Sequence, residues 1–268
     1  MVDLIETKRM NRTDQSTLRD TFGRRFEYLR LSLTDRCNFR CTYCLPNGFR
    51  KVPGLAEELS RDELRRAVTA FAGLGMWKLR LTGGEPTVRP DFDAILRDLK
   101  EVEGIEKIAL TTNGYRLEDR AAGWRADGLD AINVSIDTLD RASFARTTGH
   151  DRLLSIIKGV EVAIDAGFPE VKINSVLLKS LGSEQWDDIL AFVKNRPVSW
   201  RFIELMRTND NVGFHEDEAT PGAAVMARLR ASGWKPVARK SGSGPAVEYA
   251  HPSYVGRIGL IAPYSPGF

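Results

Sequence analysis

At 268 residues the chain suits one large domain, or a barrel-type domain with an appendage. Its 42% hydrophobic and 28% charged content is that of a soluble globule, and no apolar run approaches the roughly 20 residues that span a bilayer. A net charge of +3 gives little support to a nucleic-acid binder and only a weak hint of anionic partners.

Residues 1 to 24 are polar and charged, without useful periodicity, and read as a loosely ordered arm. Their start, Met1-Val-Asp-Leu-Ile-Glu-Thr-Lys8, has no basic stretch followed by an apolar one, so it does not read as a signal peptide and the chain is expected in the cytoplasm. Short β-rich runs then alternate with helical stretches. Strands are predicted at Tyr28–Leu33, Trp77–Thr82, Glu106–Thr112, Ala131–Asp137, Glu170–Leu178 and Trp200–Met206. Helices are predicted at Ser60–Gly73, Asp91–Val102, Leu117–Ala126, Arg152–Ala166 and Ser183–Lys194. Ser60 and Glu63 have capping-box spacing, and Pro90-Asp91 is a second start signal. Such alternation with short loops predicts an α/β fold with a parallel sheet or barrel.

Within each predicted strand one side is aliphatic, as in Leu29/Leu31/Leu33, Leu79/Leu81, Ile132/Val134/Ile136 and Ile203/Leu205. The other side is polar: Arg30 and Ser32, then Lys78, Arg80 and Thr82, Thr111, then Asn133, Ser135 and Asp137, Lys172 and Asn174, and Glu204. A closed barrel would fill its interior with aliphatic residues. The pattern therefore predicts an open, partial barrel of six strands whose polar face lines a wet cavity. An interior network of salt bridges is the alternative, weakened by a shortage of carboxylates among these residues.

All three cysteines, Cys37, Cys41 and Cys44, fall in one eight-residue window after the first strand. An odd, clustered set is no disulfide framework and points to a reducing compartment and a metal site. Three thiolates can ligate three irons of a [4Fe–4S] cluster, leaving the fourth open. Structural zinc is the alternative, but its ligands usually come as two separated pairs, and only His150, His215 and His251 are available to complete a set. Phe39 and Tyr43 flank the thiols, either as ordinary packing or as shielding.

Thr82-Gly-Gly-Glu-Pro86 closes the second strand, where parallel sheets place their ligands. Alone it reads equally well as a tight turn; after the cysteine loop it reads as a ligand site. Arg30, Arg80 and Lys172 lie on the polar side of three strands, and guanidinium forks suit phosphate oxygens, which suggests a nucleotide or polyphosphate. For Lys172 a solvated surface position is the competing reading. Thr111-Thr-Asn-Gly114 is a strand-end turn, with turn chemistry and a polar contact equally weighted. Met206 reads by itself as core filler.

The stretch Leu29-Arg-Leu-Ser-Leu-Thr-Asp-Arg-Cys-Asn-Phe-Arg-Cys-Thr-Tyr-Cys-Leu-Pro46 closely resembles the GTP 3′,8-cyclase family of radical S-adenosylmethionine (SAM) enzymes, which opens molybdenum-cofactor biosynthesis. Arg80–Pro86, Thr111–Tyr115, Ile132–Asp137, Arg201–Met206 and Ile258–Pro263 carry the resemblance onward. It implies a radical SAM partial (β/α)6 barrel over residues 25–210, with an incomplete C-terminal extension over 211–268. It implies that Cys37, Cys41 and Cys44 hold a [4Fe–4S] cluster and that Tyr43, Gly84, Ser135 and Met206 contact SAM. It implies that Arg30, Arg80, Thr111 and Lys172 contact GTP, so the cation set coincides with the family's substrate set, and Met206 moves from filler to SAM contact. The implied chemistry is reductive cleavage of SAM, hydrogen abstraction at C3′ of the ribose and closure onto C8 of the guanine. The implied partners are GTP and an electron donor, with a homodimer left open and neither nucleic acid nor membrane expected.

The family also carries a second [4Fe–4S] cluster on C-terminal cysteines, whereas no cysteine follows Cys44 and the resemblance runs out at Tyr264–Phe268. Truncation of a cyclase is expected over a shortened protein that has lost guanine capture. A radical SAM enzyme of another substrate and an inactive SAM- or cluster-binding fragment are the competing readings.

Overall fold

The computed structural model describes residues 17–51, 54, 57–181, 185–207, 211–238 and 244–262. Strands and helices alternate as predicted: β1 (Tyr28–Ser32), α1 (Arg61–Gly73), β2 (Lys78–Thr82), α2 (Phe92–Lys100), β3 (Lys107–Thr112), α3 (Leu117–Ala126) and β4 (Ala131–Ser135). Then follow α4 (Arg141–Thr148), α5 (Leu153–Asp165), β5 (Glu170–Leu177), α6 (Gln185–Lys194), β6 (Val198–Glu204), α7 (Val212–Glu218), α8 (Gly222–Ala231), β7 (Lys235–Pro236), β8 (Val247–Ala250) and β9 (Arg257–Ile261). The expected arm at 1–24 falls largely outside the described residues. Its last part folds back, with Arg19 and Arg25 bridged and the Leu18 N–H donating to the Leu74 carbonyl at 3.0 Å.

The described strands form one sheet in the order β1-β2-β3-β4-β5-β6-β9-β8-β7. All pairs from β1 to β9 along this order are parallel; β8 and β7 add antiparallel edges. The six expected strands form the parallel run β1 to β6, and the chain after residue 210 continues the same sheet, with β9 beside β6 and two further strands beyond it. These short strands lack long alternating runs, which is why periodicity did not reveal them.

Helices cover the aliphatic face. Leu64 and Val68 of α1, and Phe92, Ile95, Leu96 and Leu99 of α2, repeat at helical spacing and are buried with Leu79, Leu81, Ile108 and Leu110. The Ser60–Glu63 capping box forms as expected. Asp91 does not cap α2; its carboxylate takes the Arg89 guanidinium instead, at 2.9 and 2.8 Å.

The face assignment in the sixth strand is corrected. Ile173 stands opposite Trp200 and Asn174 opposite Arg201, so Trp200, Phe202 and Glu204 share the helix side and Ser199, Arg201 and Ile203 the polar side. Phe202 stacks on Trp186 of α6, and Trp200 meets Phe192 edge-on. Glu204 is buried on the helix side and accepts the Gly222 N–H at the start of α8 at 2.7 Å. Bulky aromatics fill the helix side here, and the aliphatic pattern taken from Ile203 and Leu205 is out of phase with them.

Candidate active site

The thiol loop leaves the end of β1. Cys37 and Cys41 are half-buried and Cys44 is exposed. The N–H groups of Cys44 and Leu45 donate to the Cys41 carbonyl at 3.0 and 2.9 Å, which turns the loop on itself. From outside, the Arg40 and Thr42 N–H groups donate to the carbonyls of Thr148 and Thr147, each at 2.9 Å. These acceptors belong to the C-terminal end of α4, an element absent from the sequence expectation. Its signals were present: Asp140 caps the Ser143 N–H at 2.8 Å, and Gly149 ends the helix at φ +75°. Under the loop, the buried Phe39 ring stacks on His150 at 4.9 Å and meets Tyr115 and Phe144 edge-on.

Burial raises all three thiols, and Cys41, also opposed by Asp137 and its two fellow cysteines, is pushed up to about 12. Such groups keep their protons until a metal displaces them. Tyr43, between the second and third cysteines, donates its hydroxyl to Asp137 Oδ2 at 2.8 Å. Asp137 Oδ1 accepts the Val176 N–H at 2.8 Å, so one buried carboxyl ties the loop to the β4 and β5 ends; burial lifts it to about 6.

The glycine pair is laid directly on the approach to Cys37. A methyl group on Gly83 or Gly84 would lie 2.3 Å from the Thr34 or Arg36 carbonyl oxygen, and Gly83 has φ +148°. The N–H groups of Gly84 and Glu85 donate to those same carbonyls at 2.8 and 2.7 Å. Glu85 is fully buried. Its carboxylate accepts the Thr87 N–H and hydroxyl at 3.1 and 2.6 Å, the Thr112 hydroxyl at 2.8 Å and the Asn113 N–H at 2.6 Å. Thr111–Gly114 thus serves both readings given to it: a turn, with Gly114 at φ +81°, and a tie, since Asn113 Nδ2 donates to Asn38 Oδ1 at 2.8 Å.

Below the strand ends, Arg30 and Arg80 stand in register on neighbouring strands. Arg80 donates from Nη1 to Thr111 Oγ1 at 3.1 Å and from Nε to the Tyr28 hydroxyl. Lys172 lies further along the same face, paired with Glu170, and its side chain is only 15% exposed, so it is no solvated surface cation. Lys78, already on the polar side in the sequence pattern, joins them, and two further cations on this face were not read from sequence: Lys107 and Arg201. The phase error in β6 hid Arg201, and Lys107 opens its strand, where alternation is hardest to read. Burial, then Lys107 and Lys172, push Lys78 down to about 8. Glu170 takes both Lys107, at 2.5 Å, and Lys172; burial alone would raise its carboxyl, but the two ammonium groups outweigh it and hold it at about 2. Salt bridges therefore answer part of the polar face, and water or a polar ligand is left for the rest.

Ser135 is half-buried, in register with Asn174. The Oδ1 atoms of Asn133 and Asn174 on this face are buried without a hydrogen bond. Met206 stands just past β6 and is 58% exposed, which overturns its reading as core filler.

The sequence profile of the Radical SAM superfamily matches residues 31–193. The GTP 3′,8-cyclase of Aeromonas hydrophila subsp. hydrophila is 49% identical over 257 residues, covering 94% of this chain and 75% of that protein. Those of Stenotrophomonas maltophilia (strain R551-3) and Synechococcus elongatus are 48% and 47% identical, each over 94% of this chain and 77% of the relative. The chain belongs to the GTP 3′,8-cyclase family. Among solved structures, Streptococcus suis SuiB bound to S-adenosylmethionine superposes with TM-score 0.62 at 20% identity, over 77% of this chain and 46% of that one. Methylornithine synthase (PylB) gives 0.57 at 16% identity, over 76% of this chain and 61% of its own. These two likenesses show the shared fold, and the profile match makes it that of the Radical SAM superfamily.

Family membership brings SAM and an iron–sulfur cluster, and the residues present fit both. Three thiols share one loop, the glycine pair packs its backbone directly against the approach to that loop, and unmatched asparagine oxygens await donors on the face below. Among the described residues no three His, Cys, Asp or Glu side chains converge on a single-ion site. No described helix is long and apolar enough to cross a membrane.

Proposed function

We propose that the chain is a GTP 3′,8-cyclase, converting GTP to 3′,8-cyclo-7,8-dihydroguanosine 5′-triphosphate as the first step of molybdopterin biosynthesis. One observation carries this reading beyond kinship. The thiol loop leaves the end of β1 in the same sheet that carries a cation set, with Arg30 and Arg80 in register and Lys172 on β5.

Cys37, Cys41 and Cys44 would hold the cluster, with Tyr43, Gly84, Ser135 and Met206 against SAM and Arg30, Arg80, Thr111 and Lys172 against GTP. When bound, the cluster and SAM supply a one-electron cleavage that ends in removal of a ribose hydrogen. This chain's own residues supply position and charge. Arg80, braced by Thr111 and Tyr28, presents a guanidinium to the triphosphate, and Lys172 adds a partly desolvated ammonium. The Asp137–Tyr43 bond and the Glu85 knot fix the loop above them. Free thiols with no disulfide suit a reducing, cytoplasmic setting.

The test is an anaerobic reaction of the reconstituted chain with SAM, a reductant and GTP deuterated at C3′. Deuterium in 5′-deoxyadenosine together with cyclised GTP supports the reading. Formation of 5′-deoxyadenosine that neither carries deuterium nor responds to GTP points to another substrate.

A further inference from the structure

The cation face is bounded by the antiparallel strand β8, and one of its residues reaches back across the sheet. Glu248 of β8 stands opposite Gly259 of β9, and Gly259 opposite Arg201 of β6. Because Gly259 has no side chain, Arg201 and Glu248 meet over it. A methyl group there would lie 2.8 Å from Arg201 Cγ and 3.6 Å from Glu248 Cγ. Glu248 Oε1 accepts from Arg201 Nε at 3.2 Å, from Arg201 Nη2, and from the Ser199 hydroxyl at 2.9 Å. Glu248 Oε2 takes Arg257 Nη1 at 3.4 Å. Arg201 is buried, and its Nη1 has no hydrogen bond among the described residues.

A buried guanidinium held on two of its three nitrogens is an oriented donor with one nitrogen left over. Lys172 lies near enough to feel both Arg201 and Glu248. The free nitrogen therefore belongs to the same electropositive field as the lysine. We propose that Glu248 is a positioning residue for anion binding: it fixes Arg201 across Gly259 so that Nη1 is presented to the triphosphate of the nucleotide substrate. This rests on the reading of the face as a nucleotide site, and it couples the strands after residue 210 to that site.

Two roles for Glu248 predict opposite signs. A carboxylate that merely neutralised Arg201 would weaken anion binding, and its removal would tighten it. A carboxylate that orients Arg201 strengthens binding, and its removal leaves a guanidinium free to swing away. Calorimetric titration of the cluster-loaded chain with GTP, inorganic triphosphate and SAM separates them.

Glu248→Ala is expected to weaken GTP and triphosphate binding about tenfold, with SAM affinity unchanged. Glu248→Gln keeps an acceptor and should lose only about threefold. In an Arg201→Ala background neither substitution should matter further, because both act through that guanidinium. The proposal is overturned if either variant binds GTP as tightly as the parent with SAM affinity intact, or if the losses persist without Arg201. If Glu248→Ala does not fold, Glu248→Gln in the two backgrounds decides alone. A parent chain that binds SAM but neither GTP nor triphosphate would overturn the nucleotide reading and this proposal together, an outcome distinct from failure of the variants.

Discussion

Gly84→Ala tests the placement of the Gly83-Gly84 loop most directly. The added methyl would meet the Arg36 carbonyl oxygen at 2.3 Å and carbon at 2.7 Å, and the Asp35 oxygen at 2.7 Å, all of them backbone. Ordinary contact starts at 3.4 Å, so the two loops must part by 3.4 − 2.3 = 1.1 Å. No flexible side chain is there to yield. The separation opposes the 2.8 and 2.7 Å hydrogen bonds that join Gly84 and Glu85 to Thr34 and Arg36. Overpacking of this kind costs about 1–3 kcal/mol, which lowers Tm by roughly 2–4 °C per kcal/mol in a chain of this size. The displacement falls one residue before Cys37, and a shift of about 1 Å at reacting groups can cost on the order of 100-fold in rate. Thermal unfolding and reductive SAM cleavage should be measured on the same reconstituted sample. Tm should fall by several degrees, and cleavage by far more than stability alone explains. A variant with parental Tm and parental cleavage would refute the close approach of these loops.

Arg80→Ala should weaken GTP binding about 10- to 100-fold in calorimetry, while SAM binding remains, because the proposed bonds are charge-assisted and lie on the cation face. Phe39→Ala opens a cavity under the thiol loop at about 3–5 kcal/mol, and should lower both the urea midpoint and the iron retained after gel filtration. Glu170→Gln should flatten the acid limb of the stability curve. The carboxyl is held at about 2 in the folded chain against 4.5 ordinarily, so its contribution is complete above pH 4.5 and lost as pH falls through 2. Urea titrations at pH 6, 4 and 3 check it; an unchanged slope between parent and variant would remove Glu170 from the cation network.

The parallel half of the sheet was legible in the sequence because its strands are long enough to alternate and helical stretches separate them. Leu79 and Leu81 against Arg80, and Ile132 and Val134 against Asn133, give both faces at once. The cysteine triad and Gly83-Gly84 were legible as chemistry, since residue type and spacing carry that signal without coordinates. What packs against them was not. Thr147 and Thr148 hold the thiol loop through backbone carbonyls, which leave no mark in the residue sequence. Arg201 was missed because Trp200 and Phe202, not Ile203, face the helices. Glu248 could not be tied to it at all: a contact across Gly259 joins residues 47 apart in sequence on strands of opposite direction.

Strand β9 lies inside the sheet, between β6 and β8, although it is the last described strand to be made. Until residues 257–261 arrive, the outer edge of β6 has no neighbour, and Trp200 and Phe202 belong to a core with one wall missing. At synthesis rates of about 5–20 residues per second, the 53 residues from 204 to 257 take roughly 3–10 seconds. For that interval the nascent chain carries an unpaired strand edge beside aromatic side chains, the setting in which chains pair with the wrong partner. Slowing translation between these strands should lower the soluble yield, and holding the nascent chain at low temperature or under a chaperone should restore it.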